Sequence, residues 1–452
     1  MNAPLAPPAR FTVTLKSVFA IAVPMTLAHA TTPLIGITDM AVIGQLGSAA
    51  LIGAVALGAV LFSFIGGTLN FLRMGTTGLV AQAMGAGDRE AEATALWRAL
   101  VMAVALGIAI VILQAPILWL FLAAMNPSEE VVAATTKYWA VRVWATPFML
   151  ASYAILGWLL GLGRAGTGLT LQLLLSLINI ALSVVLVLVF DFGVAGVAAA
   201  SVAAEIVTFV AAAAIVLRSL AAAPRPSWAA IFERVGLTRT LVVNRDILIR
   251  SVLLLFAFGF FTAVGARFGD VTLAANAVLF NLCMLSAHVL DGLATSAEQL
   301  GGRAVGARDR AAFRKTVRLT LIAGGIIGLV IGMFWLGAGP PAIAFMTTAE
   351  DVRAVSSQYL PWVALTALTG VIAFIMDGLY IGATWTRTMR DMMMVSTAVF
   401  IGAWWLLAPH LGNHGLWLAF NLWLLLRGVT LWAFLPHHVR RGFASARGMV
   451  HD

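Results

Sequence analysis

The sequence predicts an all-α polytopic membrane protein: twelve transmembrane helices in two six-helix bundles related by a parallel internal repeat. Three observations predict it. Of the 452 residues, 61% are hydrophobic and only 10% are charged, whereas a soluble protein carries about 25% charged residues. Apolar runs of spanning length recur twelve times along the chain. The two halves also match one another at a constant offset.

The composition excludes several classes at once. Lys, Arg, Asp and Glu supply water-facing surface and are almost never fully buried unless paired. Twenty-eight basic and 19 acidic residues are too few to cover a globule of this size. A soluble enzyme, a fibrous protein and a disordered chain are therefore ruled out. The single cysteine, Cys283, excludes a disulfide framework and any multi-cysteine metal site.

A helix that crosses hydrocarbon needs about 20 mostly apolar residues. Such runs fall near 15–43, 52–82, 95–122, 131–160, 167–190 and 194–217. A second set falls near 246–267, 272–300, 316–338, 352–382, 390–409 and 413–435. Several are longer than a bilayer requires, which predicts tilted, kinked or protruding helices. None alternates in polarity as the strands of a membrane barrel do. At the N-terminus, Arg10 and Lys16 precede an apolar stretch ending Ala28-His29-Ala30, the form of a cleaved leader. The run continues to Ile43, too long for a leader, so it is expected to remain as helix 1.

The net charge of +9 is distributed as a topology signal. Lys and Arg gather at alternate helix ends. One side collects Arg10, Lys16, Arg89, Arg98 and Arg164, the run from Arg218 to Arg250, the group from Arg303 to Arg318, Arg387 and Arg390, and Arg440, Arg441 and Arg447. The other side has Lys137, Arg142, Arg267 and Arg353, while Arg73 and Arg427 lie inside apolar runs. The positive-inside rule places both termini and the linker 218–245 in the cytoplasm. A nucleic-acid footprint is not expected.

The internal repeat has an offset of 221 residues. Met125, Glu129, Val131 and Tyr138 recur as Met346, Glu350, Val352 and Tyr359. Gly157 and Gly161 recur as Gly378 and Gly382, and the loop Gly85–Arg89 recurs as Gly306–Arg310. Both loop copies fall on the basic side, so the repeats run the same way through the membrane. The expected organisation is an N-terminal lobe of residues 1–217, a linker 218–245 and a C-terminal lobe 246–452. Parallel repeats of this kind place a substrate site near the bilayer midplane.

Charges inside spanning runs locate the chemistry. A charged side chain at a helix centre costs about 2.5–3.5 kcal/mol on insertion scales and must face protein or water. Asp39 is the sharpest case, on helix 1 with Pro24 and Pro33. Proline removes a backbone donor and kinks a helix, so Pro24 is a candidate hinge. Burial raises a carboxyl pKa while a donor or cation lowers it, and a proton and a cationic substrate would compete for one carboxylate. Asn179 and Asn70 are uncharged candidates for the same cavity. Glu205 on helix 6 either pairs with Arg73 or takes part in coupling. In the second half, Asp291 and Glu298 are seven residues apart, hence on one helical face. Asp377 and Arg250 complete that polar set. These acids either bind a cation or are neutralised by Arg250, and the sequence leaves both open. His288 is a weaker relay candidate, and Met389 with Met392–Met394 reads first as adaptable packing. Most Trp and Phe are expected to face lipid or the interface.

These residues resemble the multidrug and toxic-compound extrusion family, in particular its DinF-like branch, over nearly the whole chain. The resemblance is carried by Thr38-Asp39, by 75–83, by Asn244–Arg250, by Leu273–Leu279, by Asp291–Ala294, by Arg303–Gly306 and by Asp377-Gly378. It implies two six-helix lobes, alternating access, and export of organic, often cationic, compounds against proton or sodium entry. The family's helix 1 carboxylate maps onto Asp39 and its bending proline onto Pro24. Its helix 5 pattern, Asn with Asp four residues on, maps onto Asn179 and Ser183. Here the second acid is absent, which weakens a sodium site in the first lobe and favours a proton.

The expectation is a secondary antiporter of the bacterial inner membrane, with both termini cytoplasmic. It exports amphipathic, cationic organic molecules in exchange for protons, uses no cofactor and meets membrane lipid. The alternatives are a metabolite exporter for an organic anion or chelate, which requires Arg73 or Arg250 unpaired, and a lipid-linked flippase, which requires a basic cavity. No phosphate-binding loop or nucleophile–base pair supports an enzyme.

Overall fold

The computed structural model describes residues 11–221 and 226–443. Arg10, Arg225 and Arg447, which entered the charge pattern, lie outside the described residues. Twelve described helices are long and apolar enough to cross a membrane. They are α1 (Leu15–Gly44), α2 (Ala49–Ala86), α3 (Arg89–Ile112), α4 (Glu129–Gly161), α5 (Ala165–Val189) and α6 (Gly193–Leu220). The second six are α7 (Arg234–Phe268), α8 (Asp270–Gly306), α9 (Arg310–Met346), α10 (Glu350–Gly382), α11 (Thr386–Leu411) and α12 (Asn413–Gly442). A shorter apolar helix, Gln114–Met125, lies between α3 and α4.

Local chemistry sets several boundaries. The Ser48 hydroxyl accepts from the Leu51 amide at the start of α2, and Asp88 accepts from Ala91 at the start of α3. Asp309 accepts from both Ala311 and Ala312 at the start of α9. Such caps satisfy amides that have no partner within the helix. Asp88 and Asp309 are 221 residues apart and have nearly identical backbone angles. The residue before each is left-handed, Gly87 in one copy and Arg308 in the other. Helix α2 breaks at Asn70, which caps its first segment. Helix α5 ends in a π turn over Val185–Val189, a feature often found next to functional residues.

The repeat is visible in packing as well as sequence. A Cβ added at Gly157 would meet the carbonyl oxygen of Arg73, and one at Gly161 would lie 3.0 Å from that of Thr77. At the same offset, a Cβ at Gly378 would meet the carbonyl of Ala294, and one at Gly382 that of Glu298. Glycine therefore lets α4 approach the second segment of α2, and α10 approach α8, backbone to backbone.

By its internal contacts the chain divides into two compact units. One comprises Leu27–Val80 and Asp88–Leu241, and the other Met1–Thr26, Ala81–Gly87 and Val242–Asp452. In the second unit, Phe261, Trp335, Phe400, Trp417, Phe420 and Trp423 form a buried aromatic core. These six are exceptions to the expectation that most Trp and Phe face lipid or the interface. They are buried because edge-on ring contacts such as Phe261–Trp417, with centroids 4.9 Å apart, fill the spaces between helices. Met389 and Met393 are buried as packing residues. On α9, by contrast, Ile322, Ile326, Val330, Met333 and Phe334 are exposed, as a lipid-facing stripe requires.

The linker is more ordered than a surface connector. Ser227 caps a one-turn helix, Trp228–Ile231, and α7 begins at Arg234, well before residue 246. The Glu233 carboxylate accepts from the amides of Val235 and Gly236. Arg98 of α3 donates to the carbonyls of Ala230 and Ile231 and pairs with Glu233. The motif Asn244–Arg250 holds a similar anchor: buried Asp246 accepts from Arg245, from Arg390 at 2.8 Å and from Thr386. These bonds tie α7 to α11.

Gly382→Val should lower the thermal stability of the detergent-solubilised protein by about 1–3 kcal/mol, the usual cost of overpacking. Gly325→Val, where a Cβ meets nothing within 4 Å, should leave unfolding unchanged.

Candidate ion-coupling site

The polar interior of the first unit is assembled from pairs of residues one helical turn apart, which places each pair on one face. Asn179 and Ser183 lie on α5, Ser201 and Glu205 on α6, and Tyr138 and Arg142 on α4. Asp39 comes from the later part of α1. It is only 7% exposed. Its Oδ1 accepts a hydrogen bond of 2.8 Å from the Ser183 hydroxyl. No ion pair to Asp39 is present among the described residues.

Arg142 is the cation whose field reaches Asp39, and it acts on Glu205 as well. Its guanidinium lies over the Phe62 ring, 3.7 Å from the centroid, and its Nη1 is buried without a hydrogen-bond partner. Glu205 is also only 7% exposed, and it has no side-chain hydrogen bond or ion pair among the described residues. Asn179 donates to Ser201 at 2.8 Å, leaving its own Oδ1 unpartnered. The hydroxyls of Thr135, Thr146, Ser176 and Thr208 are likewise buried without partners. Most buried polar atoms in proteins are bonded. The first unit instead holds several unbonded buried hydroxyls as well as two buried carboxylates.

Asn70 and Arg73 are brought together. Arg73 Nε donates to Asn70 Oδ1 at 3.0 Å. The alternative pairing of Arg73 with Glu205 is not found among the described residues. The break of α2 at Asn70 puts a side-chain acceptor three residues from the guanidinium, and the arginine is used locally.

The second unit resolves the charges differently. Asp377 of α10 accepts from Arg250 of α7, with Nε at 3.1 Å, and from Arg427 of α12. Both guanidiniums converge on the same oxygen, Oδ2. Arg427 is 2% exposed, and the rings of Trp423 and Phe374 lie 5.6 and 5.8 Å away. Asp377 is therefore neutralised and does not offer a free acid to a cation. Asp291 is half-buried and contributes to the field at Arg427. Glu298 is buried one face along the same helix. Arg427 and Arg142 were not singled out in the sequence. Arg427 lay unassigned in an apolar run, and Arg142 looked like an outer-loop charge. A Tyr–Arg pair one turn apart in an otherwise apolar span was the available signal for Arg142.

The repeat offset sharpens the contrast. Asp39 and Ser183 correspond to Phe260 and Trp404, whose rings meet edge-on with centroids 5.2 Å apart. Asn179 corresponds to Phe400, 5.4 Å from Phe260. Positions that carry a carboxylate–hydroxyl bond in one half carry an aromatic contact in the other. His438 bonds Thr388 at 2.9 Å and stacks on Trp385.

The chain matches the MatE family profile over residues 24–185 and 247–403. The DNA damage-inducible protein F of Escherichia coli K12 is 38% identical over 433 residues, spanning 94% of this chain and 93% of its own. A probable multidrug resistance protein NorM of Agrobacterium fabrum is 26% identical and spans 96% of both chains. A solved outward-facing multidrug resistance MATE family transporter of the MOP superfamily superposes with a TM-score of 0.86 at 17% identity. That superposition covers 95% of this chain and 96% of that one and establishes the shared fold.

Asp377→Asn should destabilise the protein by about 3–5 kcal/mol, the cost of leaving buried charge uncompensated. Asp39→Asn breaks no ion pair and keeps a partner for Ser183, so its unfolding should stay within about 1 kcal/mol of the parent. Thermal unfolding of both variants in the same detergent checks this.

Proposed function

We propose that this chain, which belongs to the MatE family of multidrug and toxic-compound efflux transporters, exports amphipathic organic compounds in exchange for protons bound at Asp39. The observation that carries this reading is the setting of Asp39. The carboxyl is buried on a spanning helix, held by one hydroxyl, and tied to no cation. A serine hydroxyl both donates and accepts. It can donate to the carboxylate and accept from the protonated acid, so the contact with Ser183 persists in both states while its polarity reverses.

Charge balance supports exchange. With both acids ionised, Asp39 and Glu205 offset Arg73 and Arg142 in the first-unit interior. One proton or one monovalent organic cation adds the same single charge. Either one alone leaves this interior one charge positive, and both together would leave two like charges out of water, so the second to bind is disfavoured and the two compete. A ligand shifts access states only through differential affinity for them, and this competition supplies it. In the proposed cycle α1 bends near Pro24, whose missing amide removes one restraint on the helix, and Asp39 moves with the later part of α1. Sodium is the less favoured coupling ion. It would need several oxygen lone pairs, and the Ser183 hydroxyl directs a hydrogen toward the carboxylate where a second acid would supply oxygen.

The basic helix ends support a reading in which both termini lie on the cytoplasmic side of a bacterial inner membrane. One observation favours a second reading. Arg250 is not unpaired, as that reading was expected to require, but with two arginines on one acid the Arg250–Asp377–Arg427 cluster keeps one net positive charge, which suits an organic anion. Uptake assays with a cationic dye and an organic anion separate the two.

In proteoliposomes, a pH gradient should drive substrate movement by the parent protein equally well in sodium and potassium media. Asp39→Asn should reduce this coupled flux by about 100-fold, within the effect expected from losing a positioned proton carrier. Undiminished coupled flux in the variant, or transport driven by a sodium gradient alone, would contradict the reading.

A further inference from the structure

A groove of about 270 Å³ opens where the start of α9 meets the end of α12, at the basic ends of both helices. It is lined by Arg310, Arg314 and Arg440 and by the apolar side chains Phe313, Val317, Leu435, Pro436 and Val439. We infer that this groove binds the phosphate headgroup of an anionic phospholipid from the cytoplasmic leaflet.

Charge complementarity is the first argument. Arg310, Arg314 and Arg440 are exposed, and none makes an ion pair or side-chain hydrogen bond among the described residues. The acid beside them, Asp309, is occupied in capping α9 through the amides of Ala311 and Ala312. Three guanidiniums thus meet at one surface, and none of them is paired with a protein anion among the described residues. A guanidinium presents paired donors that match phosphate oxygens.

The second argument is the change in chemistry along the same helices. On α9, Arg310, Arg314 and Arg318 follow one another at four-residue spacing, and Ile322 and Ile326 continue the stripe. All five are exposed. On α12, exposed Trp432 and Val429 lie one and two turns inward of Pro436. A soluble phosphate would use the arginines alone. A phospholipid uses both halves of the surface, with the headgroup at the arginines and acyl chains along the apolar stripe. Basic pockets between helices on the cytoplasmic side are the usual form of such sites. The walls of the groove are firm, because Phe313 packs against Trp385 and Phe443 at ring distances of 5.6 and 5.7 Å.

The test is native mass spectrometry of the full chain titrated with dioleoylphosphatidylglycerol or dioleoylphosphatidylcholine. The parent should bind phosphatidylglycerol at least about 10-fold more tightly. Arg314→Gln/Arg440→Gln should lose roughly 5-fold per arginine, the expected contribution of each basic residue at an anionic surface. Arg89→Gln/Arg387→Gln, which removes two exposed charges elsewhere on the basic side, should keep the preference. Circular dichroism and gel filtration confirm that both variants fold, and Arg440→Gln alone replaces the double variant if it does not. The inference is overturned by equal binding of the two lipids. It is equally overturned by equal losses in both variants, or by displacement of the lipid with 10 mM inorganic phosphate, which would mark a soluble-anion site.

Discussion

An ionised side chain inside hydrocarbon must find a partner, and this constraint governs where every polar group in the molecule sits. An unpaired charge at a helix centre costs about 2.5–3.5 kcal/mol on insertion scales. The second unit meets the constraint by pairing. Asp377 binds two arginines from different helices and so fastens α7, α10 and α12 to each other. The first unit meets it without an ion pair at Asp39. A hydroxyl bonds that carboxylate, and the field of Arg142 reaches it from a neighbouring helix. A group solvated in this way can change charge without dismantling the bundle.

The internal repeat shows that the backbone and the chemistry were free to diverge. Glycine contacts recur at the same offset on α4 and α10, because helices that touch backbone to backbone tolerate no side chain at the crossing. The positions of Asp39, Ser183 and Asn179 are under no such limit. In the other half they became Phe260, Trp404 and Phe400, part of a dry aromatic core. In the proposed mechanism, coupling is therefore confined to one half, and the other serves as a packed partner with a fixed charge cluster.

Much of this was legible in the residues. The twelve spans follow from hydrophobic length, and the repeat follows from short motifs that share one offset. Asp39 stands out in the sequence because a carboxylate in a spanning run is costly to bury, and the fold does bury it. Partner choice was not legible. Arg250 had several acids within plausible reach, and only the fold shows that Asp377 takes it together with Arg427. Arg73 was taken by Asn70 through a helix break that periodicity does not reveal. Arg142 was hidden because it was counted among the outer-side charges, although the run 131–160 contains it and α4 spans Glu129–Gly161. In the linker 218–245, which the sequence bounds only by the apolar runs on either side, local caps and Arg98 order the later part.

The central claim is that the Asp39 carboxyl gains and loses a proton while remaining out of bulk water. Infrared difference spectroscopy across a pH titration observes this directly, through the carbonyl band of a protonated carboxylic acid. The account predicts a reversible band in the parent protein that disappears in Asp39→Asn. A band of unchanged size in that variant would assign the proton to another acid, Glu205 first among them, and would contradict the account.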